Sequence, residues 1–79
     1  MKCGKKVYVV GGFFYTLRVA RDAYKCFHCD RIIQPGALYV EERSIGGILR
    51  RYHAECFNKV TPHRLKVVEC PSGVKICVY

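Results

Sequence analysis

Acidic side chains are scarce in this chain. Six Asp and Glu stand against fourteen Lys and Arg in 79 residues, for a formal charge of +8. Such a surplus in a small body favours polyanions such as nucleic acid or an anionic membrane surface. Long apolar runs are missing too. No stretch approaches the ~18 residues of a helical membrane span, so no membrane partner is expected. Side-chain amides are nearly absent, Asn58 and Gln34 being the only two. Scarcity of thermolabile amides is one mark of hyperthermophile proteins, in which intracellular disulfides are tolerated. The opening MKCGKKVYVVGGFFYTL is basic and then apolar, but it lacks a small-residue cleavage pattern, and LRVARD is charged where the site would lie. An intracellular location, cytoplasm or nucleoid or nucleus, is therefore expected, where thiols stay reduced and bind metal. No repeat, low-complexity tract or disordered linker is evident.

What the chain has in quantity is cysteine. Six cysteines and three histidines sit in 79 residues. A domain this short buries only ~60% of its unfolded surface. It therefore needs a staple, and a metal site is the visible candidate. The apolar fraction of 51% is that of a folded chain. One domain over residues 1–79 is expected.

Residues 5–21 hold two β-branched and aromatic runs around Gly11-Gly12, the pattern of a β-hairpin. The alternation is blurred, but it suggests Val7, Val9, Phe14 and Leu17 inward, with Tyr8 and Arg18 outward. Residues 24–60 hold turns at Pro35-Gly36 and Gly46-Gly47, a strand from Ala37 to Arg43 and a return strand from Ile48 to Tyr52. A short helix over 53–60 should stop before Pro62. Residues 65–79 repeat the hairpin pattern around Pro71-Ser72-Gly73. The expected fold is a small zinc-stabilised β-rich α+β domain. Its centre is a treble-clef-like module of knuckle, β-hairpin and short helix, flanked by N- and C-terminal hairpins.

The strongest chemical signal is Cys26-x-x-Cys29 followed, after 23 residues, by His53-x-x-Cys56. Zinc takes four soft or borderline ligands in a tetrahedron, and two cysteines separated by two residues reach one ion across a tight turn. The second pair does so from the start of a helix, where the dipole and the cation should both lower the Cys56 pKa. Four protein ligands leave no position for a substrate water, so one structural Zn2+ is expected and catalysis is not. His28 reads as an exposed side chain between two ligands. His63 is a poorer substitute for His53. Cys3, Cys70 and Cys77 offer only three ligands, one short of a second zinc site. Free thiols are expected there, with one disulfide, Cys70–Cys77 or Cys3 with either, as the alternative.

The stretch CFHCDRIIQPGALYVEERSIGGILRRYHAECF resembles the poly(ADP-ribose) polymerase-type zinc finger, through Cys26, Cys29, Ile33, Gly36, Tyr52, His53, Cys56 and Phe57. It is also similar to the first half of a LIM domain. A complete LIM domain is excluded, because NKVTPHR follows instead of further cysteine pairs. The resemblance implies a knuckle, a hairpin and a ligand-bearing helix around one ion.

The function these features point to is nucleic-acid binding, DNA above all, in a small regulator. Arg18, Arg21, Lys25, Arg31, Arg50 and Arg51 are the expected phosphate contacts, since basic side chains near a rigid metal knuckle give affinity without base selectivity. The apolar tip Ile45-Gly46-Gly47-Ile48 either packs onto the core or wedges against exposed bases. The alternative is a LIM-like protein-interaction module, whose strand edges add to a partner's sheet. An enzyme is not expected, because no Ser/His/Asp set accompanies the saturated metal site.

Overall fold

The computed structural model describes residues 2–61 and 64–78. Pro62 and His63, the latter the substitute ligand, lie outside the described residues, as does Tyr79; the helix ends at Val60 with Thr61 extended, so it stops before Pro62 as expected. The elements in chain order are β1 (Lys2–Cys3), β2 (Tyr8–Val10), β3 (Phe13–Val19), β4 (Tyr24–Lys25), β5 (Ile32–Ile33), β6 (Leu38–Ser44), β7 (Leu49–His53), α1 (Ala54–Val60), β8 (Leu65–Cys70) and β9 (Gly73–Val78). All pairings are antiparallel. They form a four-stranded sheet β2-β3-β6-β7, a three-stranded sheet β1-β9-β8 and a two-stranded ribbon β4-β5. The described residues are thus β-rich with one short helix, as expected.

The first hairpin does not merely flank the centre. Seven consecutive residues of β3 pair with β6, from Phe13 opposite Ser44 to Val19 opposite Leu38. Gly11-Gly12 makes its turn, both residues at positive φ (60° and 82°), a region open to glycine without steric cost. The expected facing of this hairpin is reversed in part. Tyr8 is buried, while Val7 and Val9 are exposed. Tyr15 is only 1% exposed and lies opposite Tyr8. Leu17 packs on the core beside them. A tyrosine can take the inner position when its hydroxyl finds a partner. The Tyr8 hydroxyl donates to the Ile76 carbonyl at 3.0 Å, which joins the two larger sheets.

The core gathers Tyr8, Tyr15, Ile33, Val40, Tyr52, Phe57, Leu65 and Ile76 with Cys26 and Cys56. Phe57, from α1, is the hub. Its ring lies 5.5 Å from Tyr15 and 6.3 Å from Tyr52, at tilted angles that favour aromatic pairs. α1 is tied to β8 by Asn58. Its amide accepts from the Val67 N–H (2.8 Å) and donates to the Val67 carbonyl (3.0 Å), as a neighbouring strand would.

Cys3 and Cys77, expected as free thiols, form a disulfide that ties β1 to β9. They face each other as ladder partners, Cys3 opposite Cys77. Cys70 remains a free thiol.

Candidate metal centre

The site is built from two backbone turns. The first runs from Cys26 to Asp30. The Asp30 N–H donates to the Cys26 carbonyl (3.0 Å), and the Cys26 N–H donates to the Arg31 carbonyl (2.9 Å). Asp30 is the one described non-glycine residue at positive φ (62°), a conformation that aspartate tolerates better than most residues. The knuckle is anchored to β7 through the Phe27 N–H, which donates to the Arg51 carbonyl (2.8 Å). The second turn is the β7-to-α1 junction. His53 ends the strand and precedes the helix, so it and Cys56 project from one corner.

Cys26, Cys29, His53 and Cys56 converge, with their ligand atoms all within 4.8 Å of one another. Cys29 Sγ lies 3.3 Å and Cys56 Sγ 3.8 Å from His53 Nδ1. A tetrahedral zinc with bonds of ~2.0–2.3 Å has ligand-to-ligand edges of about 3.5–3.8 Å. The four donors therefore fit one ion. The other ring nitrogen, His53 Nε2, stands 3.3 Å from the Ile32 carbonyl. A proton there is donated to that carbonyl, which leaves Nδ1 as the metal-facing lone pair.

Without an ion the cysteines differ sharply. Burial is the largest influence on Cys26 and opposes its ionisation. The backbone N–H groups of Cys29, His53 and His28 and the His53 side chain outweigh it together, holding the thiol at about 6. Burial pushes Cys56 up to about 12, helped by the neighbouring Cys29 and Cys26. The expectation that the helix start lowers Cys56 is therefore corrected for the metal-free site. Cys56 is deep in the core, and one helical turn does not offset its desolvation. A bound cation would still deprotonate it.

The basic residues named from the sequence divide into three groups. Arg50 pairs with Glu42 (3.4 Å) and lies over the Phe27 ring (4.6 Å). Arg51 lies over the Tyr24 ring (4.1 Å), and its Nε is buried without a hydrogen-bond partner. These two are half-buried and packed against ring faces. Arg18 meets Glu41 (3.5 Å), and Lys25 meets Asp30 (3.6 Å), both from exposed positions. Arg21 and Arg31 are exposed and make no ion pair among the described residues. Arg31 and Lys59 line a depression that also contains Cys29, His53 and Cys56. His28 is exposed, as expected.

Sequence reasoning did not single out Glu41 and Glu42, which are buried on successive positions of β6 and serve as the counter-charges for these arginines. Counting back from the Gly46-Gly47 turn could have found them, because it sets Glu42 opposite Arg50 and Glu41 opposite Arg51. No family model, curated protein or solved structure matches the chain.

Proposed function

We propose that this chain is a zinc-stabilised nucleic-acid-binding module, with DNA as its ligand, built in treble-clef-like fashion from the knuckle, the β6–β7 hairpin and α1. The observation that carries the reading is the convergence of Cys26, Cys29, His53 and Cys56 on one point in a chain of charge +8. The donor set supports zinc, since three thiolates and an imidazole suit a tetrahedral structural site. It also supports a binding rather than an enzymatic role, because all four positions are protein ligands.

Arg31 and Lys59, which line the depression beside the knuckle and helix, and the exposed Arg21 are the best-placed phosphate contacts. Arg18 and Lys25 remain usable, because ion pairs at such exposed positions contribute only ~0–1 kcal/mol. Arg50 and Arg51 instead support the fold. The test is a titration of duplex DNA at several salt concentrations. We expect log K to fall with log salt with a slope of roughly −3 to −5, as about three to five phosphate contacts require. Arg21→Ala with Arg31→Ala should flatten the slope by about one to two. Arg50→Ala should leave the slope unchanged.

A LIM-like protein-interaction role is favoured by one observation. Ile45, Ile48 and Leu49 stand exposed at the tip of the β6–β7 hairpin, with Ile45 81% exposed. Absence of DNA affinity at moderate salt would move the assignment to that surface.

A further inference from the structure

The function proposed above makes no use of the other three cysteines. Cys3 and Cys77 are joined, and Cys70 is free and partly exposed. The three sulfur atoms lie within 4.8 Å of one another. In the ladder Cys77 stands opposite Lys66 and Cys70 opposite Gly73, on the same face of the hairpin. Four rungs of a straight strand would separate them by about 13 Å. The sulfurs nevertheless meet, so the ribbon is not straight over these rungs. The Cys70 thiol makes a long contact of 3.9 Å to the carbonyl of Val68, two residues before it.

We propose that Cys3, Cys70 and Cys77 form a second, redox-gated metal site, which binds one thiophilic ion when the Cys3–Cys77 bond is reduced. Opening the bond requires a two-electron reductant of the dithiol class. The dithiol closes to its own disulfide, and its two hydrogens pass to the sulfurs of Cys3 and Cys77. An ion then displaces the three thiol protons and makes three metal–sulfur bonds. Bonds of ~2.3 Å place ligand sulfurs about 4 Å apart, so Cys3 and Cys77 must separate once their bond opens, whereas Cys70, already within 4.8 Å of both, need move little. Soft thiolates select soft ions, and three suffice for a trigonal site or for a tetrahedral one completed by solvent. A divalent ion on three thiolates carries −1, and the local charge suits it. Lys66 is the ladder partner of Cys77, and Lys2 precedes Cys3. In the oxidised protein the disulfide occupies two of the three donors, so the site is closed.

The experiment counts Cd2+ bound to the full chain by anaerobic native mass spectrometry. It compares the oxidised protein with protein reduced by a phosphine, which takes oxygen from water as its hydrogens pass to the two sulfurs. Oxidised protein should bind one Cd2+, at Cys26, Cys29, His53 and Cys56. Reduced protein should bind two, with about twice the sulfur-to-cadmium charge-transfer absorbance, since each site supplies three thiolates. Cys70→Ser keeps the disulfide, so its folding can be checked in the oxidised form by circular dichroism. After reduction it should bind one ion. A single ion on the reduced wild type, or two on reduced Cys70→Ser, overturns the second site. Absence of any ion on the oxidised protein would instead count against the first site alone.

Discussion

Protonation sets the metal chemistry at the residue scale. Cys26, held at about 6, is a thiolate at neutral pH, whereas Cys56, pushed up to about 12, keeps its proton until a metal displaces it. Metal binding must therefore release the Cys56 proton throughout the neutral range. Below about pH 6 Cys26 is protonated as well, and its proton must also leave. Apparent zinc affinity should fall with pH, and the slope of log K should steepen by about one as pH drops through 6, which is a further tenfold loss per pH unit. Competition with a chelator of known affinity between pH 7.5 and 5 measures this. A slope that does not change near 6 would show that the backbone N–H groups around Cys26 do not hold it ionised. The four ligands were legible in the sequence, because their spacing is a chemical requirement of one ion. The contrast between Cys26 and Cys56 was not, because burial opposes ionisation at both and the difference depends on which sulfur the knuckle's N–H groups reach.

Among the elements, α1 has seven residues, too few to persist alone in water. Its place is set by Phe57 in the core, by the ligand Cys56 and by Asn58 on β8. Asn58→Ala removes two hydrogen bonds to Val67 and leaves part-buried partners behind, at about 1 kcal/mol for each bond. We expect a loss of about 2–3 kcal/mol in urea unfolding of the metal-loaded protein, with the metal stoichiometry unchanged. Asn58→Asp can still accept from the Val67 N–H and should lose less. Indifference to Asn58→Ala would mean that Phe57 and the metal alone hold the helix. The helix and the β6–β7 hairpin were legible within one residue at each end, through Gly46-Gly47 and the His-x-x-Cys pair. The facing of β2 and β3 was not. Their near-continuous apolar and aromatic composition has no clear period of two, and a tyrosine hydroxyl with a distant carbonyl decided the inner face.

For the whole molecule, a cluster able to hold a metal and a disulfide lie at different sheets. The metal site sits where the knuckle, β7 and α1 meet, and the disulfide closes β1 onto β9. A structural zinc contributes ~10–16 kcal/mol of apparent binding free energy, against a total stability of ~5–15 kcal/mol for a typical small domain. Chelation, or Cys29→Ser, should therefore unfold residues 24–60, seen as loss of near-ultraviolet circular dichroism and of amide protection there. Identical melting with and without chelator would refute a structural metal. By itself the sequence determined the donor set, the turns and the charge surplus, since each depends on residue type at short spacing. Only the tertiary structure decided how the charges are used. β6 carries Glu41 and Glu42 into the interior, and they draw Arg18, Arg43 and Arg50 onto the protein's own carboxylates. It likewise decided which cysteines are joined. Cys3 and Cys77 are far apart in the chain, and only the β1–β9 pairing makes them neighbours. Short-range spacing cannot encode a contact whose cause is the closure of a sheet by both ends of the described chain.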